Sequence, residues 1–465
     1  MNRLHNILLI AAISILTFSS CGTFLDVKPK GKVLPKTDQE YMAVLNEMLY
    51  QVETYDNGAG IVLPGPSEIV DLEAITDNLD ANLEDYIGGE KSGLPLYEGE
   101  QINKRQTYWK NLYEYIRNCN IIIAEVKGRD SDLARNMTGT CLAIKGICYY
   151  HLMRSFCVPY KVETAASSLG LPLVDSFDIE ERPQRSNLKS TGEYVCALLK
   201  ESISYGVLSE DYLFTKDVTM MFLAKTLFWM QDWDGTVLLC EELLKRHPLT
   251  EIQDYSSVIQ ELNKKQGEIL AKSFEEGSPT NYNYTNAKKA ASRRPVNKSL
   301  LDLFGSEPDN DVRYGIIFGA KRMNRKTICY RVRSSELVLM LAESYCHLKK
   351  DSKALEMLNL LRSKRIRNCV AYTPETLPEV GKRLVFEDAL GMELTPLLSA
   401  IFDERRKELF MEGDRWYELK RNGCPRMYVI SNLKKYTTYE YLYTFPINRN
   451  DVELGGLKQN EGYKY

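Results

Sequence analysis

The sequence predicts a mainly helical, all-α protein with long insertions between its helices. Apolar residues recur at helical spacing from one end of the 465-residue chain to the other, whereas strand-like alternation is sparse and short. Two stretches lack this periodicity, residues 55–101 and 275–325. Loops of such length within a folded protein are usually functional or disordered. Because both stretches keep tyrosines and lack low complexity, we expect ordered insertions.

The clearest pair of helices spans residues 335–365. ELVLMLAESYCHLKK forms the first helix, a polar turn follows, and KALEMLNLLRSKR forms the second. Ala342 and Ala354 put small residues where two backbones approach, so the pair resembles a tetratricopeptide repeat. The other positions that fit this pattern are Leu341, Tyr345, Leu358 and Leu361.

Three more segments suggest helix pairs. Residues 219–248 form a partial match, with Thr236 where alanine is usual. CLAIKGICYYHLMRSF begins another pair, whose second helix is delayed until GEYVCALLKESI, and DQEYMAVLNEML pairs with TYWKNLYEYIRNCNIII. These pairs are not in tandem, whereas repeat proteins usually stack neighbouring units. We therefore expect interrupted tetratricopeptide-like pairs in a compact scaffold with loop-rich, ligand-binding insertions.

The N-terminus predicts export. A basic start, an apolar run over residues 7–18 and two serines before Cys21 indicate a signal peptide over residues 1–20. The run is shorter than the roughly 20 apolar residues of a membrane-spanning helix, and the alternative is a buried N-terminal helix. Cys21 resembles the acylated cysteine of bacterial lipoproteins, although Phe18 stands where leucine is preferred. Several acyl chains would anchor the protein stably to a membrane.

Composition excludes several classes of function. A formal net charge of −3 argues against nucleic-acid binding, which needs a basic excess. The cysteines after Cys21 form no CxxC pair and no zinc-type spacing with histidine, so we expect no metal and no cofactor. Export would permit disulfides, but the spacing favours mostly free, buried thiols.

The segment DERRKELFMEGDRWYELKRNG, residues 403–423 and called the charged motif below, looks at first like an active site. Its carboxylates and arginines alternate at helical spacing, so that they neutralise each other, for example Asp403 with Arg406 and Lys407. A glycosidase instead needs two carboxylates that face one cleft with unequal pKa values. No nucleophile elbow, P-loop or zinc motif occurs elsewhere. Packing is therefore favoured over catalysis, and no catalytic residue is expected.

The charged motif also predicts a helix boundary. Glycine accepts the left-handed conformation, so the first helix is expected to end near Gly413. Asp414 can then cap a second short helix with its side chain.

ERRKELFMEGDRWYELKRNG resembles the C-terminal signature of the SusD/RagB family of surface lipoproteins, with matches at 404–409 and 412–420. FPINRNDVELGGLKQNEGY resembles the family's PIP-type segment followed by QNPGY, although Asn448 and Glu461 replace prolines. VRSSELVLMLAESY, CGTFLDVKP and YWKNLYEYIRNCN resemble three further family segments. The resemblance spans nearly the whole chain.

This resemblance implies a binding protein and not an enzyme. It implies one SusD-like domain over 21–465, with an N-terminal part over 21–215 and a C-terminal part over 216–465. Family members are lipid-anchored on the outer face of the outer membrane in Bacteroidetes. Each works with a SusC-like, TonB-dependent barrel transporter and delivers glycan or peptide nutrients to it. The alternatives are a lipoprotein that acts only as an assembly partner, and a hydrolase on the same scaffold.

The resemblance places the ligand on the insertions, and sugars pack on aromatic rings. The four tryptophans, at 109, 229, 233 and 416, are expected to pack within scaffold helices, and Arg313, in a family D-x-R segment, is expected to be structural. The tyrosines in the insertions remain as candidates for ligand contact. In an extended NYNYTN segment, the two tyrosines would lie on the same face. The alternative is that these tyrosines only fix their own loops. The candidate ligand-binding residues are Tyr86, Tyr97, Tyr282, Asn283 and Tyr284.

Overall fold

The computed structural model describes residues 35–54, 62–81, 94–177, 180–262, 264–273, 282–305, 308–431 and 433–464, apart from the side chains at 54, 282 and 283. The chain forms two units, residues 1–41 and 42–465. Only residues 35–41 of the first unit are described, so the signal peptide and Cys21 lie outside the described residues and stay predictions.

Helices dominate the described residues, as predicted, and none of them is both long and apolar enough to cross a bilayer. The helices are α1 (Asp38–Thr54), α2 (Pro66–Glu73), α3 (Ile102–Val126), α4 (Asp132–Phe156), α5 (Leu188–Tyr205), α6 (Lys216–Trp229), α7 (Trp233–Arg246), α8 (Tyr255–Gln260), α9 (Tyr282–Ala291), α10 (Lys298–Leu301), α11 (Val312–Ile317), α12 (Ser334–His347), α13 (Asp351–Ser363), α14 (Pro396–Glu408), α15 (Arg415–Arg421) and α16 (Arg449–Glu453).

Local chemistry sets several helix ends. The Ser131 hydroxyl accepts a hydrogen bond from the Ala134 N–H at 3.0 Å at the start of α4. The Asn187 side chain does the same for Ser190 at 2.8 Å at the start of α5. That helix ends at Gly206, whose φ of +67° is left-handed.

The helix pairs pack on one another in chain order. In the described residues, each of α3 to α6 packs on the next helix, α7 packs on α12, and α12 packs on α13. The predicted pairs at 219–248 and 335–365, and the delayed pair of α4 with α5, are therefore confirmed. The fourth predicted pair is wrong, because α3 packs mainly on α4 and shares with α1 a hydrogen bond from Tyr115 Oη to Gln51 Oε1 at 3.4 Å.

Small residues allow this close approach. A Cβ added at Gly146 on α4 would lie 2.6 Å from Leu199 Cδ2 on α5, so only a residue without a side chain fits. Ala224, Ala342 and Ala354 are all fully buried at the small positions that the sequence pattern predicts. The ten cysteines after Cys21 are free thiols and nine are buried, as expected.

Three short antiparallel pairs of strands accompany the helices within the described ranges. They are β1 (Leu169–Pro172) with β2 (Arg185–Asn187), β3 (Ile269–Lys272) with β4 (Arg331–Arg333), and β5 (Tyr428–Ser431) with β6 (Lys434–Thr437). In β5 the side chains alternate between solvent and interior, with Tyr428 and Ile430 outward and Val429 and Ser431 inward.

The charged motif is scaffold, as predicted, because its charges tie separate elements together in the interior. Glu408 at the end of α14 is fully buried and accepts hydrogen bonds from Arg313 on α11 at 3.1 Å and from Arg333 on β4 at 2.5 Å. Arg365, just after α13, donates to the same carboxylate at 3.0 Å. The structural role expected of Arg313 is thus confirmed.

The charged motif contains ion pairs at helical spacing, but the example that the sequence suggested for Asp403 is wrong. Asp403 pairs with Arg383 at 2.9 Å and not with Arg406 or Lys407. Lys407 pairs instead with Glu404 at 2.6 Å, three residues earlier on the same helix. Asp403 has a different partner from the expected one because the tertiary fold brings Arg383 next to it.

The helix boundary in the charged motif is also corrected. Helix α14 ends at Glu408, before Gly413, although Gly413 does adopt the left-handed φ of +75°. Asp414 precedes α15, but its side chain makes no cap and pairs with Arg405 at 2.6 Å and 2.8 Å.

The two predicted insertions meet. Helix α9 from the second insertion packs on α2 from the first. An antiparallel bridge joins Leu79 to Val296, and the Asp80 N–H donates to the Pro295 carbonyl at 2.8 Å. This contact brings together two parts of the chain that are far apart in sequence.

Candidate functional site

A cleft of about 830 Å³ opens beside this contact between the insertions. Residues from four stretches line it: 76–81, 297–303, 379–385 and 426–430. Side chains from the charged motif form its floor, and we call it the insertion cleft. Its volume is that of a typical small-molecule site. The last two stretches lie outside the predicted insertions, so the sequence analysis did not place them at the ligand site.

The floor of the insertion cleft is held by ion pairs. Asp77 pairs with Arg415 at 2.8 Å and with Arg406 at 3.2 Å. Burial raises the pKa of Asp77, but the two guanidinium groups more than offset this, so the pKa lies well below its usual range. Burial lowers the pKa of Arg406 to about 10 against the pull of Asp77. These groups satisfy each other and fix the shape of the cleft.

One wall is fixed by the second insertion. The Asn297 side-chain amide donates to Asp80 Oδ1 at 2.6 Å, and Arg322 pairs with Asp80 Oδ2 at 2.8 Å. The Arg294 guanidinium donates to the carbonyls of Asp80 at 3.2 Å and Ile430 at 3.4 Å. The same contacts therefore hold both insertions and strand β5 around the cleft.

Partly exposed polar groups offer hydrogen bonds to a ligand. Arg383 and Asp403 pair at 2.9 Å and both retain exposed surface. Burial raises the pKa of Asp403, and Arg383 opposes that shift. Lys382 and Arg426 are exposed on the same lining. This mixture of donors and acceptors suits a ligand with many hydroxyl groups.

Tyr428 supplies an aromatic face. Its side chain is 56% exposed on β5, and Lys435 Nζ lies 4.1 Å from its ring centroid. An exposed ring with an apolar face and a polar tip is what a sugar ring packs against. Sequence reasoning missed Tyr428 because it lies outside the predicted insertions. The alternation of YVIS was the available signal, since it places Tyr428 and Ile430 on one face of a strand.

The structure places Tyr97 in the core, which corrects the expectation that it faces a ligand. Its side chain is 2% exposed, and its ring stacks on Trp416 with centroids 6.3 Å apart. The Thr438 hydroxyl donates to its oxygen at 3.3 Å. All four tryptophans lie in helices, as predicted, at positions 109, 229, 233 and 416.

The segment NYNYTN is not extended, so that expectation is wrong. Its residues from Tyr282 onward begin helix α9, where Tyr284 is buried at 7% exposure. The side chains of Tyr282 and Asn283, and all of Tyr86, lie outside the described residues, and their role stays a prediction.

The geometry of the insertion cleft fits binding. Of the carboxylates that line it, those at positions 77, 80 and 403 each pair with an arginine, and Glu379 is exposed at the edge of the lining. A glycoside hydrolase would need two carboxylates poised over one bond, one of them protonated. An aromatic face beside polar groups held by ion pairs is an arrangement that can orient a polar ligand.

Comparison with known proteins gives matches over most of the chain. A sequence model of the SusD family matches residues 255–463. A second model, described as starch-binding associating with outer membrane, matches residues 23–225. A SusD-like protein of Formosa agariphila is 22% identical over 511 aligned residues, which cover 90% of each chain.

Solved structures share the fold. A SusD superfamily protein of Bacteroides thetaiotaomicron superposes with a TM-score of 0.69 at 17% identity, covering 91% of this chain and 99% of that one. A SusD-like carbohydrate binding protein of Bacteroides vulgatus gives a TM-score of 0.64 at 18% identity, covering 90% of this chain and 97% of that one.

Proposed function

Since the chain belongs to the SusD/RagB family, we propose that it is a cell-surface nutrient-binding lipoprotein that holds an oligosaccharide in the insertion cleft. The observation that carries this proposal is the exposed Tyr428 ring on the wall of a cleft whose polar groups are fixed by ion pairs. Fixed partners lower the entropy that a site loses when it orders around a ligand.

The cellular setting follows from the N-terminus and the family. Cys21 carries the acyl chains after removal of residues 1–20, and these chains anchor the protein in the outer membrane, facing the cell exterior. A SusC-like, TonB-dependent barrel receives the bound nutrient. Support for this setting comes from the lipoprotein-like sequence around Cys21 and from the family description, which names association with the outer membrane.

Calorimetric titration tests the ligand class and the site together. The lipid-free chain that begins after Cys21 is titrated with neutral oligosaccharides and, separately, with peptides. We expect binding to oligosaccharides that Tyr428→Ala weakens at least tenfold, about 1.4 kcal/mol. Tyr50→Ala is the matched control, because Tyr50 is 50% exposed on α1 and does not line the cleft.

The other outcomes separate the alternatives. Oligosaccharide binding that Tyr428→Ala leaves unchanged would keep the function and reject the insertion cleft. Binding to peptides alone would identify a peptide receptor. An absence of binding to either class, with stable association to the barrel, would identify an assembly partner only.

A further inference from the structure

A second cleft of about 610 Å³ lies between strand β1 and the 3-10 turn Glu440–Tyr443. Its lining includes Ser168, Leu169, Tyr439, Tyr441 and Glu461, and we call it the terminal cleft. Its volume again falls in the range of small-molecule sites. The insertion cleft and the terminal cleft draw their aromatic residues from one short stretch of chain, residues 428–441.

Two tyrosines dominate the terminal cleft. Tyr439 is 47% exposed and Tyr441 is 42% exposed. Their rings are nearly parallel, with an interplanar angle of 12° and centroids 6.5 Å apart. Single exposed aromatic residues are ordinary on a protein surface, but two aligned rings lining a cleft form a contiguous apolar platform.

The platform is held in place before any ligand arrives. The Arg426 guanidinium lies 5.0 Å from the Tyr439 centroid. The Tyr441 ring packs on the backbone of Gly462, where an added Cβ would lie 2.3 Å from Tyr441 Cδ2, and edge-on against Tyr463 at 5.6 Å. Because the rings are fixed by these contacts, binding loses little side-chain entropy.

The polar groups of the terminal cleft indicate the charge of the ligand. Glu440 and Glu461 line it, both are exposed, and neither takes part in an ion pair within the described part of the chain. Two carboxylates repel an acidic sugar and accept hydrogen bonds from hydroxyl groups. Glu461 stands where the family resemblance would place proline, so this acceptor is a feature of this chain.

Arg426 connects the two clefts. It lines the insertion cleft and at the same time stacks on Tyr439 in the terminal cleft. The edge of the insertion cleft and the Tyr439 ring of the terminal cleft therefore meet at this one side chain.

We propose that the terminal cleft is a second saccharide subsite, in which Tyr439 and Tyr441 hold a further sugar ring of a neutral oligosaccharide that also occupies the insertion cleft. This inference rests on the proposed function for the first of the two sites. It adds that the ligand is a chain of several sugars and that affinity rises with chain length.

Titration with matched chain lengths tests the second subsite. The lipid-free chain is titrated with neutral trisaccharides and heptasaccharides of the same linkage, including maltotriose and maltoheptaose. The variants are Tyr439→Ala/Tyr441→Ala, Tyr428→Ala and, as control, Tyr50→Ala. We expect the double substitution to weaken heptasaccharide binding at least tenfold and to change trisaccharide binding less than twofold. Thermal unfolding of each variant checks that the fold is intact.

Each remaining outcome has a definite meaning. Equal affinities of wild type and double variant for heptasaccharides would overturn the second subsite and leave the proposed function standing. Heptasaccharide binding that depends on Tyr439 and Tyr441 but not on Tyr428 would support the terminal cleft and reject the insertion cleft. A wild type that binds neither length would overturn both. As a second variant, Glu461→Lys should bind an acidic heptasaccharide. If this variant does not bind it, the proposal that the carboxylates repel acidic sugars is contradicted.

Discussion

Glu343 shows how single buried charges stabilise this protein. It is fully buried on α12, and Arg421 from the charged motif donates to both of its oxygens, at 2.5 Å and 2.9 Å. Burial raises the pKa of Glu343, but Arg421 and His347 outweigh it and lower the pKa to about 2. In an unfolded chain the same carboxyl group titrates near 4.5.

Glu343→Gln should therefore lower the free energy of unfolding by an amount that depends on pH. The folded pKa lies below the unfolded one, so the carboxylate stabilises the fold above pH 4.5 and loses that effect as pH falls towards 2. We expect the free energy of unfolding at pH 7 to drop by about 3 kcal/mol. The difference from wild type should narrow as pH falls, which urea unfolding at pH 7, 5 and 3 would measure. A difference that stays constant with pH would contradict this explanation.

At the same scale, the sequence could predict which helical residues pack in the interior but not which tyrosine is exposed on a cleft. The buried role of Arg313 followed from its position in a D-x-R segment, and the structure agrees. Tyr97 and Tyr428 both lie near turns. The sequence analysis chose Tyr97 as a candidate ligand-binding residue, but Tyr97 is buried and Tyr428 is exposed. Exposure depends on tertiary neighbours such as Trp416, which stacks on Tyr97 and lies far from it in the chain.

At the scale of the helices, the tight contact between α4 and α5 at Gly146 leads to a prediction. Gly146→Ala puts a Cβ on α4 that meets Leu199 on α5 at 2.6 Å. We expect a loss of about 1–3 kcal/mol in the free energy of unfolding, because a packed helix interface cannot absorb the extra volume. Gly315→Ala on α11 is the matched control, since no neighbouring atom lies within 4 Å of its added Cβ. It should be neutral or slightly stabilising, and equal losses in the two variants would contradict the account.

Helices with strong periodicity were predictable, and the irregular segments were not. The pair α12 and α13 carries its small residues at the required spacing, and it forms as predicted. NYNYTN reads equally well as an extended loop, yet it starts helix α9 because that helix packs on α2. This contact depends on a partner more than two hundred residues earlier in the chain, which local pattern cannot reveal.

For the molecule as a whole, the sequence predicts two insertions but does not predict that they contact each other. The bridge between Leu79 and Val296 joins them, and the loop over 379–385 and the strand at 428–431 complete the cleft. The charged motif, which looked catalytic, forms the floor and interior support of this site. Its glutamates at 404, 408 and 412 are all tied to basic side chains.

Hydrogen–deuterium exchange with a bound neutral heptasaccharide tests most directly whether the insertion cleft is the ligand site. We expect slower exchange in the four stretches that line the cleft, at 76–81, 297–303, 379–385 and 426–430. Exchange across α13, which does not line the cleft, should be unchanged. Ligand-dependent protection confined to other stretches, or none at a saturating concentration of a ligand that calorimetry shows to bind, would contradict this expectation.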